Sequence, residues 1–388
     1  MRLRSLSGRE WQRLLPWLDI SGLALYFLDR LEELQLCHIL PSDVRTRLQR
    51  NTQDNVERTR GMIAESLAIQ QELRKAHLSY AVLKGSSLYP CSVPKPELRH
   101  QFDLDFLVTE KGILDARQIL QRRGYRLYAI SGRSWEFKKD EKIGTSMDDF
   151  YKDNSGRSVE LHVEANIAGL SSVLDRVERR EFHGVSMPVL SPVDLFLGQG
   201  LHAYKHVNSE FSRAAHLIEF RRHVLMRRKD DNFWEELRSR SEEDPQISLG
   251  LGIVTLLITD VMGDFAPDAF TDWTVGRLPR SARLWVKLYG HRVVFGNAPG
   301  SKLYLLLRRE SESVDAPAKR SLLQALLPRR LPPLIVRASS DETFLIRIHR
   351  YRTQLHFILL RLRFHIVEGL RYTWESYRWR KHMNRHSQ

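Results

Sequence analysis

Phe102-Asp103-Leu104-Asp105-Phe106-Leu107-Val108 is the stretch on which the fold turns. Apolar residues alternate with acids, the period-two pattern of a strand that buries one face. Asp103 and Asp105 then point the same way, while Phe102, Leu104 and Phe106 pack on the opposite face. Two carboxylates so placed repel each other unless a cation lies between them. Mg²⁺ suits such a pair, because it takes oxygen ligands and keeps several waters and substrate phosphates. An edge strand that merely exposes two acids is the competing reading of the same spacing.

The flanking segments bear on that choice. Upstream, Leu78-Ser79-Tyr80-Ala81-Val82-Leu83 reads as a short buried strand ending in the polar turn Lys84-Gly85-Ser86-Ser87. Gly85 lets the backbone approach a phosphate closely, and amides at a helix start bind anions. Arg99 lies just before the acidic strand, where its guanidinium suits a phosphate or a carboxylate. Downstream, residues 111–123 form an amphipathic pattern that Gly124 breaks. Residues 125–130 read as a strand, and residues 134–139 and 147–152 as hairpin material. In residues 158–164, Val159, Leu161 and Val163 face the core and leave Glu160, His162 and Glu164 on the other side. Glu160 is thus a candidate third carboxylate, with a half-solvated strand as the alternative.

Farther out the texture is helical. Leu14, Leu15 and Leu18, then Leu25, Leu28 and Leu31, recur at helical spacing, and Pro41-Ser42-Asp43 starts a long polar helix. Helical patterning returns after Ser191-Pro192 and ends in a long basic segment, residues 344–379. The expected organisation is an N-terminal helical region over residues 1–77 and a strand-bearing core over 78–190. A helical domain covering the cleft follows over 191–295, then a basic helical region over 296–388. Strands clustered between helical runs indicate an α/β or α+β core.

Composition narrows the classes. The chain has 388 residues, 42% of them hydrophobic and 28% charged, enough for a sizeable core and not a disordered composition. Its formal net charge of +14 favours polyanionic partners such as nucleotides, nucleic acid or an acidic membrane surface, although arginines on solvated helix faces account for much of it. Cys37 and Cys91 give neither a disulfide framework nor a metal-ligand spacing, so a reducing cytoplasm is the expected setting. No uncharged apolar run reaches the length of about 18 residues that marks a spanning helix, so none is expected.

The ordered set Ala81-Val82-Leu83-Lys84-Gly85, Arg99, Asp103-Leu104-Asp105 and Val159-Glu160-Leu161-His162 resembles the uncharacterised nucleotidyltransferase family of the DNA polymerase β-like superfamily. Similar residues continue through Leu190-Ser191-Pro192-Val193-Asp194-Leu195 and Leu201-His202-Ala203-Tyr204-Lys205-His206. The resemblance implies an α+β fold, a small mixed sheet embedded in N-terminal and C-terminal helical regions, and a Mg²⁺- or Mn²⁺-dependent transfer of a nucleoside monophosphate from a nucleoside triphosphate such as ATP to an acceptor. It implies that Asp103, Asp105 and Glu160 hold the metals, with Glu164 a weaker substitute for Glu160. Lys84, Gly85, Ser86 and Arg99 would meet the triphosphate. Residues 90–96 depart from the family's spacing before Arg99.

Two features stay open. His202 and His206 share a helix face with Lys205 nearby, and together with His162 they are candidates for the substrate cleft. A structural histidine pair and a metal pair are the alternatives, although no His-Glu-x-x-His pattern is present. The C-terminal basic stripe either packs on the protein's own core or touches nucleic acid or an anionic membrane. The expected function is therefore a nucleotidyltransferase with an unidentified hydroxyl or phosphate acceptor: small molecule, peptide, glycan, protein or RNA. A non-catalytic nucleotide- or RNA-binding module on the same fold is the alternative.

Overall fold

The computed structural model describes residues 2–139, 150–153, 157–164, 172–242, 244–296, 300–311, 326 and 343–385. The chain divides into two compact units, residues 1–200 with 218–243, and residues 201–217 with 244–388.

In the first unit, α1 (Gly8–Ser21), α2 (Ala24–Glu33) and α3 (Ser42–Lys75) precede the sheet. Ser7 caps α1, accepting from the Glu10 amide, while the Glu10 carboxylate accepts from the Ser7 amide. The strands are β1 (Tyr80–Leu83), β2 (Asp103–Val108), β3 (Arg126–Ser131), β4 (Ser134–Lys138), β5 (Ser158–Val163), β6 (Glu178–Phe182) and β7 (Val185–Val189), with α4 (Ile113–Arg122) after β2. They form one mixed sheet in the order β3-β4-β5-β2-β1-β7-β6. β2 runs parallel to β5 and antiparallel to β1, and β1 runs parallel to β7. The fold is the expected α+β type with a mixed sheet. The strand pair β6–β7 adds an edge that the sequence reading did not anticipate. Residues 147–149 of the expected second hairpin lie outside the described residues.

Alternation places the core. Val82, Leu104, Phe106, Val108, Phe137, Val159 and Leu161 bury one sheet face against Met62, Ile69 and Leu73 of α3 and Ile113, Ala116, Ile119 and Leu120 of α4. Phe106 is fully buried, so Phe106→Ala would cost about 3–5 kcal/mol. Phe102, expected on that same face, is instead exposed and rings with His100 and Phe150, because the strand begins only at Asp103. The burial of the even-numbered β2 residues leaves Asp103, Asp105 and Leu107 on the opposite face.

Helices α5 (Pro192–Val207), α6 (Ala214–Met226) and α7 (Asp231–Ser241) follow the sheet. In the second unit lie α8 (Pro245–Met262), α9 (Asp268–Thr271), α10 (Arg280–Trp285), α11 (His291–Phe295), α12 (Tyr304–Ser311) and α13 (Phe344–Arg385). Asp244 caps α8 and Pro245 fits its first turn. By length and mean hydropathy, 1.5 over 18 residues, α8 resembles a membrane-crossing helix, although Asp260 interrupts its apolar run. Leu251, Ile253, Val254, Leu257 and Ile258 are nonetheless fully buried, and a Cβ on Gly252 would sit 2.8 Å from the Thr274 carbonyl oxygen. Core packing thus accounts for its apolar run. On α13, Phe364, Tyr372 and Trp379 are buried, while Leu345, Leu370 and Trp374 on other faces are exposed.

Candidate functional site

The site begins with register. Asp105 on β2 stands opposite Glu160 on the parallel β5, and Leu83, the last residue of β1, stands opposite Asp105 on the other side. Lys84 therefore leaves the sheet beside Asp105, and its Nζ lies 2.5 Å from Asp105 Oδ1. His162, two residues beyond Glu160 and on the same face, brings Nε2 to 2.8 Å from Asp105 Oδ1 and 3.3 Å from Glu160 Oε2. One acid on each of two strands is thus bridged by one imidazole. Asp105 is buried, while the His162 and Glu160 side chains remain about a quarter exposed, at 25% and 26%.

The electrostatics follow from that packing. Burial, and next the charge of Asp105, push the Asp103 carboxyl up to about 6. Burial also acts against ionised Asp105, but hydrogen bonds from His162 and the nearby Lys84 outweigh it and hold this carboxyl below its usual range. The His162 hydrogen bond likewise lowers Glu160. Burial disfavours charge on His162, yet its bonds to Asp105 and Glu160 win and raise it to about 9. For Lys84, desolvation is overcome by Asp105 and Asp103, and its pKa rises. Three acids face two cations, so the cluster keeps negative charge in a low-dielectric setting.

Beside the cluster the backbone turns sharply. Lys84 and Gly85 both adopt positive φ, 50° and 47°, and a short 3₁₀ turn runs over Gly85–Leu88. A side chain at 85 would be strained by φ and would also press on the Gln101 amide, 2.9 Å from an added Cβ. Ser86 Oγ donates to Met187 Sδ at 3.7 Å. Arg180 on β6 donates to the carbonyls of Ser87 and Tyr89, both at 2.9 Å, and so fixes the turn from the unexpected edge of the sheet. In sequence, Glu178-Arg179-Arg180-Glu181 reads only as a run of charge, which is why Arg180 escaped notice.

A family model described as an uncharacterised nucleotidyltransferase matches residues 7–263. The chain belongs to that family. Within this nucleotidyltransferase family match lie the turn, the paired acids of β2 and Glu160 of β5. Among solved structures, the chain is similar to an antigenic nucleotidyltransferase-like protein from Paracoccidioides brasiliensis. The identity is 15% and the TM-score 0.29, over 48% of this chain and 89% of that one. No curated protein matches.

The remaining expected site residues of this nucleotidyltransferase-family chain fall in different places. Arg99 keeps a side chain 13% exposed, with Nε 3.2 Å from Glu219 Oε1, and Tyr26 also donates to Glu219 Oε1, at 3.1 Å. Its charge still lowers the Asp103 pKa. Glu164 accepts from Ser172 Oγ at 2.8 Å and from the Leu174 amide at 3.1 Å, so its carboxylate is engaged away from the Asp105 cluster. His202, Lys205 and His206 belong to the second unit, where the two histidines meet His216. His216 went unread in the sequence because its partners lie on a different helix.

Proposed function

We propose that this chain transfers a nucleoside monophosphate from a nucleoside triphosphate to a hydroxyl or phosphate acceptor, with release of pyrophosphate. The observation that carries the reading is the Asp105–Glu160 pairing across parallel strands, with Asp103 on the same face and the Lys84-Gly85-Ser86 turn beside it. A donor set made of carboxylate oxygens fits Mg²⁺ or Mn²⁺. Asp103, Asp105 and Glu160 would hold the ion. When bound, it would neutralise charge on the triphosphate and on the attacking and leaving oxygens.

The chain's own groups do the rest. The acceptor oxygen bonds to the α-phosphorus as the bond from that phosphorus to the departing pyrophosphate breaks. Positioning and charge neutralisation dominate such transfers. Lys84 is charged and close to the acids, placed to offset negative charge as phosphate approaches. Gly85 leaves the turn without a side chain, and Ser86 offers a hydroxyl beside it. His162 holds Asp105 and Glu160 at one spacing through its two contacts. Glu160, partly exposed, suits the role of orienting the acceptor hydroxyl.

A second reading, a nucleotide- or RNA-binding module without catalysis, draws on one feature: Lys84 and His162 already neutralise much of the cluster. Incubating the full chain with each common nucleoside triphosphate, Mg²⁺ or Mn²⁺ and a broad acceptor panel separates the two. Pyrophosphate release, and acceptors heavier by a nucleoside monophosphate in mass spectra, are expected. Asp103→Asn should lower turnover at least ~100-fold, about 2.7 kcal/mol of barrier. Full activity in that variant would remove the site assignment; triphosphate binding with no pyrophosphate would favour the module.

A further inference from the structure

The second unit holds another cluster of ligating side chains, with different chemistry. His202 and His206 lie four residues apart on the last turns of α5, so both rings project from one helix face. A short connection then reverses the chain, and His216 enters from the first turn of α6. The connection is held in place by its own bonds. The Asn208 amide donates to the Tyr204 carbonyl at 2.8 Å, and Ser209 Oγ donates to the His206 and Phe211 carbonyls at 2.8 and 3.0 Å. The Ser301 amide donates to the Glu210 carbonyl at 3.1 Å, bracing the connection from outside.

The three imidazoles come together as a triangle. Ring centroids are 4.6 Å apart for His202–His206, 4.8 Å for His202–His216 and 4.6 Å for His206–His216. One ring nitrogen of each lies within 4.8 Å of the others, and His216 is buried. Nitrogens bound to one tetrahedral zinc ion at about 2.0–2.1 Å stand roughly 3.4 Å apart, a spacing that small side-chain rotations reach from here. His206 Nδ1 lies 3.4 Å from the Phe211 carbonyl oxygen. A proton on Nδ1 shared with that carbonyl leaves Nε2 its lone pair and fixes the ring, as partners of metal-binding histidines do.

We propose that His202, His206 and His216 form a metal site for a divalent transition ion of the zinc type, with a fourth position left to water or an anion. Imidazole nitrogens favour zinc, copper, nickel or cobalt over Mg²⁺, so this site and the carboxylate cluster select different ions. The charges of Arg213 and Lys205 act on His206. The same two cations oppose a metal held by charge alone, so coordinate bonds must supply the affinity. Three ligands and an open position are the pattern of zinc sites that bind or activate a small molecule.

Packed imidazoles without metal are the rival, and titration decides between them. Full-length chain stripped with chelator is titrated with Co²⁺, whose visible bands report tetrahedral nitrogen coordination, and then with competing Zn²⁺. The expected result is saturation at one Co²⁺ per chain and displacement by Zn²⁺. At least about tenfold weaker binding is expected in His202→Ala and in His216→Gln, with the site unchanged in Asp105→Asn. His202→Ala serves if the buried His216 variant fails to fold, and thermal melts of each variant check this. Absence of a saturable band overturns the proposal, as does a band kept in His202→Ala or lost in Asp105→Asn.

Discussion

Two ion networks in the sheet-bearing unit both set acids against basic side chains and end in different states. Around Glu219, Arg99 and Tyr26 satisfy a single carboxylate, and the pair is nearly dry, with side chains 13% and 2% exposed. Around Asp105, three carboxylates share Lys84 and His162, and part of the cluster reaches solvent. In the first network acid and base are matched and little reaches solvent, as in a structural brace. The second carries more acid than base, and burial and Asp105 lift Asp103 to about 6. Under the proposed function, the surplus negative charge beside the Lys84-Gly85-Ser86 turn is what would hold a cation. Charge bookkeeping thus separates a brace from a site where residue identity does not.

The largest effect should come from breaking the brace. Arg99→Met takes the guanidinium away from a buried carboxylate, and a loss of about 3–5 kcal/mol in urea unfolding is expected. Arg99→Met combined with Glu219→Met should recover most of it, because no buried charge is then left alone. Were Arg99→Met to leave stability unchanged and raise KM for a nucleoside triphosphate, Arg99 would belong to phosphate binding and the contrast would fail.

The open network should answer oppositely. In metal-free buffer, Asp103→Asn removes one of three clustered acids, and relief of repulsion should raise stability by about 1–2 kcal/mol. Mg²⁺ or Mn²⁺ should then raise the melting temperature of the parent and not of the variant, since only the parent binds in the folded state. Equal shifts in both proteins would place the ion elsewhere.

Much of this arrangement was legible in the residues, for physical reasons. Period-two alternation assigned Asp103 and Asp105 to one face of β2 and Glu160 and His162 to one face of β5, because side-chain direction in a strand is local. The parallel register that sets Asp105 beside Glu160 was not legible, since pairing between distant strands leaves no mark in either one. Nor was the Arg99–Glu219 pair legible, since Arg99 lies 120 residues before Glu219, just ahead of β2. The β6–β7 hairpin escaped because Glu178–Phe182 is mostly charged and Val185–Val189 contains a proline, so neither shows the usual strand texture. His216 was unreadable for the same non-local reason as the β2–β5 register.

A closed network made of neutral groups extends the contrast and gives the smallest effect. His223 on α6 is buried at 1% exposure, and its Nδ1 donates to Gln199 Oε1 at 2.8 Å, an oxygen that also accepts from Ser92 Oγ at 2.8 Å. Burial first, then the charges of Arg227 and Arg180, lower its pKa from 6.5 to about 3. The folded chain therefore refuses a proton that the unfolded chain accepts below the ordinary histidine value. Stability from this residue is complete above that value and is lost as pH falls through it towards about 3. Between about pH 7 and about pH 5.5 the parent should lose about 1 kcal/mol more than His223→Gln, whose side chain does not titrate. Urea midpoints for the two proteins at those pH values measure the difference, which cancels His206 and every other shared group. Parallel pH profiles would mean that the folded protein protonates His223 as readily as the unfolded chain does. The Ser92–Gln199–His223 network would then be open rather than closed, and closure would no longer distinguish the braces of this unit from its site.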